Sequence, residues 1–315
     1  MRKYLLLTLL IAILVSCVEN KDASTVMSPS AIVGGEVVKG KEFQGVVAIV
    51  RGGDIICSGV VIDKRTVLTA AHCLVNQYHS GLSILTGNGV SLPSHQRYLK
   101  GQYKVLRVKF FPKLDIKPHH GITNYGDFNA NDVGILTVDR NFLNIKPYKI
   151  ATKVETIKES LVVGKELTIV GFGYTGEDYG YTTAERIIEY GVKRKVSVPV
   201  VSFNNHEVDA RADGKDSCYV DSGAPAFIKT RTGYQVLGIV SGSDGLCGEN
   251  EFPAYYSLAF DSACWIGKIT GLSFEDEKFH CERSLYIDKK CSEYGARSDA
   301  KECAAETSQI IFDEY

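Results

Sequence analysis

From residue 32 onward the apolar positions fall into short runs separated by turns rich in glycine, asparagine and aspartate. The runs include "GVVAIVRGGDIICSGVVID", "TVLTAAHC", "YKVLRVKFF", "DVGILTVD", "ELTIVGFG", "KRKVSVPVV", "YQVLGIVSG" and "AYYSLAF". Val, Ile, Tyr and Thr recur in them, and many short runs at this spacing predict the strands of a sandwich or of barrels. Helical spacing appears in "SACWIGKITG", which ends on a glycine stop. Residues 269–315 change character: they are charged, hold Cys281, Cys291 and Cys303, and contain few strand-like runs. With Cys264 supplying a fourth thiol, they read as a disulfide-pinned extension whose pairing the sequence leaves open.

The first residues stand apart from this pattern. Arg2 and Lys3 precede an apolar run from Leu5 to Val15, too short to span a bilayer comfortably, so "MRKYLLLTLLIAILVSC" reads as an export signal. The run stops at "LVSC", which resembles the lipobox of bacterial lipoproteins. That resemblance implies diacylglycerol on the Cys17 thiol, cleavage just before it, and a membrane anchor. The alternative is an ordinary secretory signal with an incidental cysteine; either way the mature protein is exported. Residues 18–31, "VENKDASTVMSPSA", are polar and small and read as a spacer.

Composition narrows the class further. A chain of 315 residues with 44% hydrophobic content can bury a large core, and a net charge of -1 gives no global pull toward nucleic acid. Nine cysteines less Cys17 leave eight, enough for four disulfides in an oxidising compartment. There is no CxxC pair, so structural zinc is not expected, and nothing calls for a cofactor. The acidic cluster with His280, "FEDEKFHCE", reads as a solvated charged face rather than a metal site. His119 and His120 in "KPHHGITNYGD" read as surface-loop polarity.

Three local patterns carry chemistry. They are "LTAAHC" around His72, "NDVGIL" around Asp132 and "DSGAP" around Ser222. Acyl transfer to water needs a nucleophile, a base for its proton, a group that orients the base, and donors for the oxyanion. A lone Ser, His or Asp would mean nothing. In the order His, Asp, Ser, and together with "IVGG" at Ile32, the patterns resemble the chymotrypsin-like (trypsin-type) serine peptidase family from Ile32 to about Gly271.

The resemblance implies an all-β fold of two packed six-stranded antiparallel β-barrels, with a C-terminal helix containing Trp265. The expected divisions are a signal at 1–17, a spacer at 18–31, an N-terminal barrel at 32–145, a C-terminal barrel with the helix at 146–271, and the cysteine-rich extension at 272–315. It implies His72 as general base then acid, Asp132 as the carboxylate fixing its tautomer, and Ser222 as nucleophile. The oxyanion donors would be the N–H groups of Val220 and Ser222. Cys57–Cys73 and Cys218–Cys247 would be disulfides. Asp216 would lie at the base of a pocket selecting Lys or Arg, with Ser241, Ser243 and Ala254 on its walls. Cleavage after Ala31 by another peptidase would free the Ile32 amine to pair with Asp221. The family's bridge before the serine region lacks its cysteines here, and "SFNNHEVDARADGK" is shortened, which implies an open cleft rim.

The pattern also breaks. Val220 and Ala224 stand where the family has glycines, Gly242 where it has tryptophan, and Ser243 and Ala254 where it has wall glycines. A valine at a site that favours positive φ either bears that strain or turns its N–H away from the oxyanion. Two function classes follow: an exported serine endopeptidase acting on protein or peptide substrates, or a non-catalytic binding protein on the same scaffold.

Overall fold

The computed structural model describes residues 32–75, 79–93, 101–111, 132–175, 189–204, 206–243, 245–248 and 251–283. Cys17, Ala31, His119, His120, Cys291 and Cys303 lie outside the described residues.

Strands dominate, in chain order β1 (Glu36–Val37), β2 (Val46–Arg51), β3 (Asp54–Asp63), β4 (Thr66–Thr69), β5 (Leu82–Leu85), β6 (Gly89–Pro93), β7 (Tyr103–Phe110) and β8 (Gly134–Val138). The later half adds β9 (Lys149–Ile150), β10 (Glu166–Gly171), β11 (Glu189–Val192), β12 (Arg194–Phe203), β13 (Glu207–Ala210), β14 (Pro225–Thr230), β15 (Gly233–Ser243) and β16 (Ala254–Leu258). β2, β3, β4, β8, β7 and β5 close one antiparallel barrel in that order. In the second, β12, β10, β14, β15, β16 and β13 are neighbours, and β12–β13 pairing closes the ring. The two-barrel fold expected from the sequence is the fold observed.

The hydrophobic pattern explains which faces turn inward. In β7, Tyr103 and Val105 are buried while Lys104 and Leu106 face outward, the period of a half-buried strand. In β2, Val46 through Val50 are all buried, because this strand faces the barrel interior on one side and neighbouring structure on the other.

Two features depart from the expected divisions. β1 pairs with β12, with Glu36 opposite Lys195, and Ile32 packs in the second barrel's core, so residues 32–45 do not belong wholly to the first barrel. The segment around Glu207 holds β13, which completes the second barrel; its four-residue alternation is too short to stand out in the sequence.

The helix at the end of the second barrel, α2, spans Ala263–Thr270 and is capped by Gly271 at φ 75°. Glycine enters that left-handed turn without a Cβ clash. A shorter helix, α1 (Val154–Ser160), had no expectation behind it. Residues 277–283 are also helical and dock on the second barrel through the Cys264–Cys281 disulfide. Glu275, Asp276, Lys278 and Glu282 of "FEDEKFHCE" are exposed, as a solvated charged face requires, but the other side of the segment is covered. Phe279 and His280 are buried, His280 Nε2 donates to the Thr152 carbonyl at 2.6 Å, and Asp276 accepts the Val154 N–H at 2.9 Å. Arg283, also buried, pairs with Asp261 at 2.6 Å, and Asp261 lies 2.7 Å from His206 Nδ1. Alternation of charge with a few apolar residues concealed that one side of this helix covers the body.

Candidate active site

The first barrel brings a base and a carboxylate together. β4 ends at Thr69 and the chain turns through the buried Ala70 and Ala71 into His72, while the Cys57–Cys73 disulfide ties that turn to β3. Asp132 lies two residues before β8, which pairs with β4, and is fully buried. Its Oδ1 accepts the His72 backbone N–H at 2.8 Å, and its Oδ2 lies 2.5 Å from His72 Nδ1. From the second barrel, Ser241 on β15 donates its hydroxyl to the same Oδ2 at 2.8 Å. Ser241, expected on the pocket wall, thus has its side chain committed to the carboxylate.

Burial alone disfavours charge on either group. For His72 it presses the pKa down, but the Asp132 charge and hydrogen bond more than compensate and hold it above 6.5. For Asp132 burial presses the pKa up, and the imidazole with the His72 and Ser241 hydrogen bonds returns it below the usual carboxylate range. The Nδ1–carboxylate contact leaves Nε2 as the ring position able to accept a proton.

The second barrel presents Ser222 to this turn. The Ser222 carbonyl accepts the Ser58 N–H at 2.9 Å and lies 3.6 Å from Cys73 Sγ, beside His72 in the chain. Gly223 permits the approach: at φ 81°, a Cβ there would sit 2.0 Å from Thr69 Oγ1 and 2.5 Å from the Ser58 carbonyl. Ser58 was not singled out in the sequence. The available signal was one hydroxyl inside the apolar strand "IICSGVVID".

Asp221 is the other fully buried carboxylate here. Its Oδ1 accepts the Gly173 N–H at 2.8 Å and its Oδ2 the Cys218 N–H at 3.0 Å. Gly173 must be glycine, since a Cβ would meet Asp221 Oδ2 at 2.3 Å. Among the described residues no basic side chain pairs with Asp221. Burial, which outweighs the two N–H donors, pushes its pKa up to about 7.

Asp216, also buried, accepts the Gly248 N–H at 3.2 Å, and its own N–H donates to the Val33 carbonyl at 3.1 Å. The Cys218–Cys247 disulfide closes this region. Ser243 and Ala254 are cross-strand partners on β15 and β16, with Ala254 1% exposed. Cys57, His72 and Cys73 hold potential ligand atoms within 4.8 Å of one another, but the two sulfurs are joined and cannot serve as thiolates.

The trypsin family model matches residues 32–266, three quarters of the chain and all of this site. The chain belongs to the trypsin family. It is similar to venom serine protease 34 of Apis mellifera, 27% identical over 68% of this chain and 53% of that protein. It is also similar to CLIP domain-containing serine protease B15 of Anopheles gambiae, 24% identical over 67% and 60% of the two chains. With trypsin eta of Drosophila melanogaster the figures are 26% identity over 67% and 76%. The chain thus spans only between half and two thirds of the first two relatives.

Against the trypsin pattern, the conflict at Val220 resolves in one direction. Its φ is 74°, the left-handed conformation that glycine would adopt, so the valine carries the strain. Such a conformation costs about 1–3 kcal/mol when the surroundings enforce it. Ala224 is fully buried in the second core with its N–H on the Asp221 carbonyl at 2.7 Å, and its methyl is accommodated there.

Proposed function

We propose that this trypsin-family chain is an exported serine endopeptidase, with Ser222 as nucleophile, His72 as base and Asp132 as the group that orients the base. The observation that carries the reading is the alignment of His72 by Asp132 on one barrel, with the Ser222 turn hydrogen-bonded to the same region from the other. Ser222 Oγ attacks the substrate carbonyl as its proton passes to His72 Nε2. The resulting oxyanion accepts from the N–H groups of Val220 and Ser222, and His72 then protonates the leaving amine as the C–N bond breaks. Water repeats the sequence on the acyl-enzyme. The imidazolium that forms lies against a carboxylate already biased toward the charged form.

Cleavage at Ala31–Ile32 by a separate peptidase is the activating step. In the uncleaved chain Ile32 is already buried in the second barrel, while Asp221 is a buried acid without a cation among the described residues. A freed Ile32 amine would supply the missing charge. Such an amine titrates near ~8 when exposed, and pairing raises that value. With Asp221 ionised, the amine's contribution to the activated state is therefore full at neutral pH and is lost as pH climbs through the raised value.

Substrates are cleaved after Lys or Arg, with Asp216 as the counter-charge; Ser243 and Ala254 narrow the approach relative to a glycine-walled pocket. Export fits the three disulfides among the described residues. Lipid attachment at Cys17 rests on "LVSC" alone, and the animal proteases to which the chain is similar lend it no support. If the lipid is present, the activating cut would also release the domain. Val220 and the altered pocket walls favour a binding-only protein, and the glycine-like φ of Val220 weakens the first of these two arguments.

The test is labelling of Ile32-terminated protein by a fluorophosphonate probe, with Ser222→Ala as control. Labelling of the wild type alone is expected; an unlabelled wild type rejects the endopeptidase in favour of a binding protein.

A further inference from the structure

Val220 holds a conformation that its own side chain opposes, since both Cγ atoms of a β-branched residue crowd the flanking peptides at positive φ. The two peptide planes on either side of it are each fastened. Upstream, the Tyr219 carbonyl accepts the Tyr174 N–H at 2.9 Å. In a trans peptide the N–H points opposite to the carbonyl, so this contact sets the direction of the Val220 N–H. Downstream, the Val220 carbonyl accepts the Ser58 hydroxyl at 3.2 Å.

Ser58 comes from the other barrel, on β3, and is fully buried. Its hydroxyl oxygen accepts the Phe172 N–H at 3.1 Å, which leaves its one proton for Val220. Its main chain grips the same neighbourhood: the N–H donates to the Ser222 carbonyl at 2.9 Å, and the carbonyl accepts Thr69 Oγ1 at 2.7 Å. A single residue of the first barrel therefore holds the carbonyls of Val220 and Ser222, the two residues proposed to donate to the oxyanion. An alanine at this position would keep the main-chain contacts and lose only the contact to Val220 and the acceptor for Phe172.

We propose that Ser58 is a positioning residue for the oxyanion donors, and that its hydroxyl is what allows a valine to occupy a glycine conformation beside the nucleophile. This rests on the reading of Ser222 as nucleophile. Glycine needs no such restraint because it enters positive φ freely, so the effect of losing Ser58 depends on which residue stands at 220.

The experiment is a double-mutant cycle on Ile32-terminated protein: wild type, Ser58→Ala, Val220→Gly and the double variant. Each is assayed for kcat and KM on a Lys- or Arg-containing peptide and for fluorophosphonate labelling. The expected result is a fall in kcat for Ser58→Ala of ~10-fold or more, toward the ~10² that loss of one oxyanion donor costs, with KM little changed. In the Val220→Gly background the same substitution changes kcat by less than about threefold. An unchanged kcat in Ser58→Ala, or an equal loss in both backgrounds, overturns the proposal. If Ser58→Ala alone does not fold, recovery of folded protein on adding Val220→Gly supports the coupling, and no recovery overturns it. If the wild type does not label, the peptidase reading fails by itself. Amide hydrogen exchange at Val220 then decides: faster exchange in Ser58→Ala than in the wild type upholds the restraint, and equal exchange removes it.

Discussion

Asp132 and Asp221 are both fully buried, and burial pushes the pKa of each upward, yet the two end on opposite sides of the usual carboxylate range. Asp132 faces an imidazole, a backbone N–H and a hydroxyl, and its carboxyl is held below the usual range. Asp221 has two backbone N–H donors and no cation among the described residues, and its pKa rises to about 7. Desolvation is the largest influence on each, so the difference lies in the partners. A buried carboxylate with an opposite charge is set for use at neutral pH. One with neutral donors alone is waiting for a charge. Asp261, between His206 and Arg283, is likewise held below the usual carboxylate range, and there the Arg283 ion pair ties the extension to the body.

The comparison can be broken most severely at Asp132. Asp132→Asn keeps the shape but removes the charge that selects the tautomer, and kcat in the Ile32-terminated protein should fall by roughly 10⁴. In the wild type, the acid limb of kcat/KM should lie above pH 6.5, because His72 is held protonated above its ordinary value and must be neutral to act. The limb is read from a pH–rate profile; a limb below 6.5 would contradict the influence of Asp132 on His72.

Asp221→Asn should have opposite consequences in the two forms of the chain. In the cleaved form it strands the buried Ile32 amine, with an expected loss of about 3–5 kcal/mol in denaturant titrations and loss of activity. In the uncleaved form at pH 8 it removes an unpaired buried charge and should leave stability unchanged or raised. The sign follows from linkage. With a folded pKa raised to about 7 against 3.8 unfolded, the folded uncleaved chain binds the extra proton between those values, so its stability declines as pH rises through that window. Asp221→Asn should abolish that decline.

Arg283→Met removes the guanidinium from Asp261 and should lower stability by about 2–4 kcal/mol, less than a complete loss of partners because the His206 Nδ1 contact remains. Calorimetry should show this without a change in kcat.

The smallest effect concerns a buried cation. Lys193 is fully buried, its Nζ donates to the Phe43 carbonyl at 2.9 Å, and burial pulls its pKa down to about 7. Between pH 7 and about 10 the unfolded chain binds more protons, so stability rises with pH across that interval. Lys193→Met should flatten that rise and add about 1–2 kcal/mol near pH 7, measured by denaturant titration at the two pH values.

Much of the fold was legible because strand periodicity is local. β2, β3, β7, β8, β10, β12, β15 and β16 all lie in runs that alternate or stay apolar, and α2 ends where Gly271 predicts. β13 and α1 escaped because four to seven residues give too little periodicity, and the docked helix escaped because its buried face is made largely of His280 and Arg283. At the candidate site the motifs around His72, Asp132 and Ser222 could be read directly, whereas Ser58 could not. Its significance depends on Val220, 162 residues away along the chain.

The order of residues determined which groups could act: a histidine, an aspartate and a serine in motifs that one family shares, cysteines in numbers suited to export, and a valine where glycine was expected. Tertiary structure decided what those groups are to one another. It set which buried carboxylate has a charged partner, which barrel supplies the hydroxyl behind Val220, and that the valine bears its strain rather than turning away. The physical reason is that charge preference and backbone strain depend on what surrounds an atom within a few ångströms, and those neighbours come from chain segments more than a hundred residues apart.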